Sequence, residues 1–458
     1  MKRIRVGNAA GFWGDNLDAP RRLAERGELD FLTLEYLAEL TLSILAGQRR
    51  KNPELGYVPD TVSSLVSLAS ALKSQSQLHV VTNGGGMNPT GCAQAAGKAL
   101  AEAGLADLKI AAVAGDNLLP RLAELFAGGE TFAHFDTDAP LGDLRNQVAS
   151  ANVYLGAEGI VAALAQGARV VLTGRVADAS LTVGPAIHAL GWSPTDWNRL
   201  AAATVAGHLI ECGAQVTGGM FSGWTPDLVL RDLGYPIAEI ADSGEVWITK
   251  PTGTGGRVDE ATVAEQLVYE IGDPAHYLTP DVDANFSQVT LTTVGPDRVA
   301  VANATGGPPP ATLKVSMTYP AGFRATGTLV VCGQNAVLKA RSSGELIRSR
   351  LAEAGEVPQR LDVEILGSGD ALGGVLPRAD DAREVVLRVS AADPSRERLE
   401  RFVREFSPLV GSGPPGVTGY TGPRPAPFPL FAYWPTRIAR KRVEPVVEIR
   451  TAREWAGR

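Results

Sequence analysis

Cysteine is scarce and scattered: Cys92, Cys212 and Cys332 are the only three in 458 residues. An odd number without CxxC spacing argues against a disulfide framework and offers no structural zinc motif. The five histidines are not clustered, and neither HExxH nor GxSxG occurs, so no metal site and no serine hydrolase is expected. No uninterrupted apolar run reaches the roughly 18 residues of a membrane span. The opening MKRIRVGNAAGFWGD turns polar too early to supply the apolar stretch of a secretory signal. The expectation is a cytoplasmic protein with no membrane partner. A basic excess is missing as well: the formal net charge is -7, which argues against nucleic acid as a partner. One basic run, Arg437–Arg442, reads as a solvated face.

What is present is a packed-protein composition, 45% hydrophobic and 20% charged, in a chain long enough for two or three domains. Short β-prone runs at Ile4–Val6, Phe31–Leu34, Leu78–Thr82, Lys109–Val113 and Val170–Thr173 alternate with Ala/Leu-rich helical stretches. That alternation predicts an α/β fold with a mainly parallel sheet flanked by helices on both faces. From about residue 286 the texture becomes polar-alternating (SQVTLTTVG, RVAVANATG, TLKVSMTYP), which predicts a β-rich antiparallel extension. The α/β domain is expected to span residues 1–356. Residues 357–458 read strand, strand, helix, strand and predict a small C-terminal α+β domain of ferredoxin-like type. The Gly/Pro-rich loop Gly411–Pro429 within it reads as an ordered loop near a site or an interface, or as plain surface.

Three glycine-bearing turns follow predicted strands. LHVVTNGGG brings Asn83, Gly84, Gly85 and Gly86, then Asn88, to a strand end; ARVVLTGRVADAS brings Thr173, Gly174, Arg175 and Asp178; VWITKPTGTGG brings Lys250, Gly253, Gly255 and Gly256. Bare backbone N–H groups at a strand-to-helix turn can cradle an anion, and strands of one parallel sheet present their carboxyl ends on one edge. The three loops are therefore expected to converge on one substrate-binding cleft, with Arg175 or Lys250 supplying positive charge. Neither GxxxxGK[ST] nor GxGxxG is matched, so no nucleotide cofactor is inferred.

Several groups are candidates for acid–base or nucleophilic work. In AGHLIECGAQVTGG, His208 shares a helix face with Glu211 and Cys212 if the stretch is helical, so a base and a nucleophile can meet; a capping histidine and a buried core thiol are the alternatives. Glu35, in LTLEYLAEL, is surrounded by apolar residues that would bury a lone charge at considerable cost unless it had a partner. Asp116 terminates another strand, and Asp15 either joins this chemistry or caps the helix near Ala19.

The runs AAGFWGDNLDA, LEYLAELTLSIL, TNGGGMNP, LTGRVADASL, HLIECGAQVTGG and KPTGTGGRVDEATVAEQLVYEIGDPAHYLTPDV together resemble the AtuA-type acyclic terpene utilisation family over roughly residues 4–350, and the tail resembles its associated ferredoxin-like domain. The resemblance implies breakdown of acyclic terpenes and similar branched acids through coenzyme A thioesters, which would be substrate rather than resident cofactor. The resulting expectation is an enzyme, a hydro-lyase or carbon–carbon lyase, moving a proton α to a carbonyl of a branched or carboxylated acyl substrate. Glu35, Asp178, His208, Glu211 and Cys212 are the catalytic candidates, in a homo-oligomer. The alternative is a non-catalytic protein that binds an acyl-CoA or a carboxylase.

Overall fold

The computed structural model describes residues 2–375 and 377–457 and is a mixed α/β structure that divides into two compact units. One contains the chain up to Thr318 together with Tyr433 onward; the other is Tyr319–Ala432.

In the first unit the leading strands are β1 (Arg3–Asn8), β2 (Phe31–Leu34), β3 (His79–Thr82), β4 (Lys109–Ala114), β5 (Ser150–Val153), β6 (Val170–Thr173), β7 (Ile237–Ala241) and β8 (Val246–Thr249). Five of them pair in parallel in the order β1-β2-β3-β6-β4. Such strands are covered on both faces, which is why their sequences read as nearly unbroken apolar runs. Alternate residues feed two separate cores: Val81 and Val171 enter one, Val80, Val170 and Leu172 the other.

The sheet is not mainly parallel. Among the described residues it has ten strands and is mixed: β7, β8, Arg298–Ala302 and Thr290–Gly295 add antiparallel neighbours beyond β1, and Val446–Thr451 adds one beyond β4. Much of the expected β-rich extension is thus a hairpin continuing the main sheet. The final strand, expected in the C-terminal domain, also lies here. It is anchored by the helix Ala452–Ala456, whose fully buried Trp455 donates its indole N–H to the Ile110 carbonyl at 3.0 Å.

Compactness therefore divides the chain at residues 318/319 and 432/433 rather than near 357. The second unit runs strand (within Thr312–Cys332), helix Ala336–Glu353, strands Arg360–Leu366 and Glu384–Asp393, helix Arg396–Val403, and strand Val417–Tyr420. The Glu384–Asp393 strand buries every second residue, and Val385, Leu387 and Val389 share one core with Ile347, Leu351 and Phe402 from the helices. The Gly411–Pro429 stretch lies in this unit, and Val417–Tyr420 within it is an edge strand pairing with Thr312–Cys332.

Candidate functional site

Strand register builds the site. Leu34, the last residue of β2, stands opposite Thr82, the last of β3, and Thr82 stands opposite Leu172 of β6. The residues that follow, Glu35, Asn83 and the Gly174–Arg175 turn, are consequently delivered to one edge, outside the carboxyl ends of the strands where ligands of open α/β sheets bind. Asn83 donates its side-chain amide to Glu35 Oε1, which also accepts the Leu37 N–H at 2.9 Å.

Arg175 lies at the centre, its side chain only 2% exposed. Nη2 donates to Asp178 at 2.6 Å, Nη1 donates to the Leu37 carbonyl and lies 3.9 Å from Glu35 Oε1, and the guanidinium carbon stacks 4.1 Å from the Tyr154 ring centroid. Asp116 fixes the turn that carries it, accepting the Arg175 N–H at 2.9 Å and the Asn152 side chain at 2.7 Å. Residue 174 is glycine because a Cβ there would overlap the Asp116 carboxylate.

Glu211 arrives from the opposite direction, at the end of helix Trp197–Glu211. Asn8, the last residue of β1, clamps that end by donating to the Ile210 and Glu211 carbonyls at 2.7 and 2.9 Å. Behind Glu211, the buried His208 meets its Oε1 through Nδ1 at 3.2 Å and the Gln266 carbonyl through Nε2 at 2.9 Å. A carbonyl only accepts, so Nε2 carries a proton.

Glu35, Arg175, Asp178 and Glu211 line a cleft of about 390 Å³, closed by Gly11, Phe12, Ala214, Met220, Tyr235 and Tyr269 among others. Its ionisable lining is lopsided: among the described residues, Asp15, Glu35, Glu39, Asp178, Glu211 and Glu270 face a single cation, Arg175. Burial, then repulsion from Asp178, drives the Glu35 carboxyl well above its usual range despite Arg175. Burial also raises Asp178; Arg175 opposes this and Glu211 reinforces it, leaving Asp178 at about 7. Glu39 goes the other way. Burial disfavours its charge, but the Tyr154 hydroxyl at 2.6 Å and Lys314 at 3.1 Å outweigh that and hold it at about 2. For His208, burial works against the imidazolium and loses to the Glu211 carboxylate, so its pKa is raised. One cleft thus holds a carboxyl shifted strongly toward its neutral form, one poised near neutrality and one firmly ionised, the kind of separation that acid–base chemistry uses.

The expected site residues divide accordingly. Glu35, Arg175, Asp178, Glu211 and Cys212 line the cleft, and His208 and Asn83 stand directly behind its walls. Cys212 is a poor nucleophile as placed, because burial and then Glu211 push its thiol up to about 12. Arg175 grips the protein's own carboxylates rather than standing open to an anion. Thr173 is buried, and its hydroxyl donates to the Gly174 carbonyl at 2.9 Å.

The glycine loops serve packing. A Cβ on Gly84 would overlap the Thr61 hydroxyl, and one on Gly85 would come within 2.6 Å of the Thr173 carbonyl. The Gly86 N–H donates to the Asn83 carbonyl at 3.0 Å. Asn88 caps helix Pro89–Glu102 through the Gly91 N–H, and its amide faces the Pro53, Glu54 and Leu55 carbonyls. The third loop shares the sheet edge but lies apart, because β7 separates β8 from β1. Lys250 is buried against Asp297 at 3.0 Å and the Thr254 carbonyl at 2.9 Å, while the Gly255 and Gly256 N–H groups donate to the Asp232 and Val229 carbonyls at 2.9 and 2.7 Å. Gly253 is in the left-handed region (φ 76°) with open space around it. The loops after β3 and β6 pack together, Gly85 against the Thr173 carbonyl, but of their residues only Arg175 and Asp178 line the cleft, and the loop after β8 lies apart. Asp15 caps no helix either: it accepts the Gly11 N–H at 2.9 Å and the Tyr235 hydroxyl, folding its own loop over the cleft.

Sequence reasoning missed Asn8, Tyr154, Glu39 and Tyr235. Asn8 carried a legible signal, a polar residue ending the first strand. Tyr154 and Tyr235 carried none, since only the tertiary fold brings them beside Arg175 and Asp15.

A carboxyl-rich cleft at the carboxyl edge of a mixed α/β sheet is the site this fold builds. The chain belongs to the acyclic terpene utilisation family protein AtuA family, whose model matches residues 4–449. The match takes in both compact units and reaches into the last strand, so it extends well past residue 350. Membership ties the chain to acyclic terpene utilisation. No curated protein and no solved structure matches it.

Proposed function

We propose that this protein is an enzyme that adds water to, or removes it from, a branched acyl thioester of acyclic terpene breakdown. The observation that carries this reading is two carboxyls sharing one guanidinium: Asp178 stands 2.6 Å from Arg175 Nη2 and Glu35 3.9 Å from Nη1, with burial raising the pKa of both. In dehydration, ionised Asp178 takes the proton α to the thioester carbonyl, and protonated Glu35 gives its proton to the departing hydroxyl. Hydration is the reverse. Arg175 lies between both carboxyls and stabilises whichever is ionised, so one proton moves through the pair without leaving an uncompensated buried charge.

The same electrostatics narrow the substrate. A free carboxylate head would meet six carboxyls and one occupied guanidinium, so the group entering the cleft is uncharged, a thioester carbonyl or a hydroxyl. The second unit's element order, with its sheet running Arg360–Leu366, Glu384–Asp393, Thr312–Cys332, Val417–Tyr420, supports a ferredoxin-like reading of that unit.

The test is to incubate the protein with branched 2-enoyl and 3-hydroxyacyl thioesters in ¹⁸O-labelled water and follow product mass. Label entering the hydroxyacyl product, lost in Asp178→Asn, supports the reading. Binding of these thioesters without any incorporation overturns it in favour of a carrier or partner role.

A further inference from the structure

We propose that the pocket between helix Ala19–Arg26 and the 230–235 segment binds a phosphorylated tail, so that the substrate lies across Tyr235 with its uncharged head in the acidic cleft. The placement of the head rests on the proposed function; the pocket stands on its own features. It encloses about 160 Å³ and is lined by Asn16, Arg22, Arg26, Asp232, Tyr235 and Thr254, among others.

Arg22 and Arg26 stand one helical turn apart on the same face, and both reach across to Asp232. Nη1 of Arg22 takes one carboxylate oxygen at 2.9 Å, and Nη1 of Arg26 takes the other at 2.8 Å. One carboxylate for two guanidiniums leaves a unit of positive charge in excess. Each fork presents five N–H donors, a geometry that fits phosphate oxygens.

The neighbouring cleft has the opposite character. Tyr235 lines both cavities, and its hydroxyl donates to Asp15 on the cleft side, which fixes the ring as a shared wall. A molecule with an uncharged reactive end and a phosphorylated far end therefore finds complementary surroundings on the two sides of one side chain. A phosphorylated carrier thioester has that polarity.

The test uses inorganic pyrophosphate as the probe, with binding measured by calorimetry at low ionic strength. Arg22→Gln and Arg26→Gln should each weaken binding by about tenfold or more, the scale of a lost charged hydrogen bond. Asp232→Asn should tighten it, because it frees both guanidiniums. Asparagine tolerates the left-handed backbone of this position (φ 52°), so that variant keeps its fold. Pyrophosphate that fails to bind the wild type, or binds all three variants equally, overturns the proposal and leaves the arginines as a clasp on Asp232. These readouts do not involve thioester turnover. No ¹⁸O incorporation by the wild type, with arginine-dependent pyrophosphate binding intact, would defeat the hydratase reading and spare the pocket.

Discussion

Asp178 accepts a hydrogen bond from Arg175 Nη2 at 2.6 Å, the guanidinium being three residues earlier in the same turn, while Glu35, from a different strand end, lies 3.9 Å from Nη1. Removing the charge but keeping the bulk, as in Arg175→Met, strands the carboxyls it serves. The expected loss is about 3–5 kcal/mol of unfolding free energy, the range for breaking a buried ion pair. Urea unfolding at pH 7 measures it, and the loss should shrink at pH 5, where Asp178 carries its proton.

The raised Asp178 pKa has a definite consequence for stability. Its folded value of about 7 lies above an unfolded value of about 3.9, so the native state binds this proton more tightly than the unfolded chain does. That contribution is fully present below about pH 4 and is lost as pH rises through about 7. Asp178→Asn abolishes it. The stability difference between wild type and variant should move against the wild type from pH 4 to pH 8, and unfolding across that range shows whether it does.

The parallel strands were legible because each is a short apolar run, and Phe31–Leu34 and Val170–Thr173 have the bounds their sequences suggest. The antiparallel additions were not. Residues 446–451 are separated from β4 by more than 300 positions, and no local pattern announces a pairing made by tertiary packing. At the site, Glu35 was legible because a carboxyl amid apolar residues demands a partner. Arg175 was legible as a site residue but not in its role, since the adjoining glycine suggested an anion cradle, whereas Gly174 makes room for Asp116.

Lys250 and the glycines after β8 yield a prediction opposite to their being the anion's own ligands, since none of them lines the pocket or the cleft. Lys250→Met should cost about 1–3 kcal/mol by unpairing the lysine's partners. It should weaken thioester binding far less than Arg22→Gln or Arg26→Gln, because Lys250 only supports Thr254 from behind the pocket. Gly255→Val should prevent folding, because its Cβ would overlap the Val229 and Arg231 carbonyls. Melting temperature and thioester affinity, measured on both variants, separate scaffold from site.

A chain ending at residue 356 loses Val446–Thr451 and the helix with Trp455, leaving β4 as an open apolar edge. It should aggregate, as unpaired edges do. In the full-length chain, Trp455→Ala should cost about 3–5 kcal/mol, as expected for truncating a fully buried aromatic. Light scattering of the shortened chain and denaturant unfolding of the variant check the two outcomes.

Everything proposed for the cleft depends on Asp178 exchanging its proton near neutrality while Glu35 stays protonated. Isotope-edited infrared spectroscopy of protein labelled at aspartate carboxyls, with Asp178→Asn as the blank, observes that proton without a substrate. The expected result is a carboxylic acid band that belongs to Asp178, persists at pH 6 and disappears with a midpoint of about 7. A midpoint near 4, roughly the value of an ordinary exposed aspartate, would contradict it.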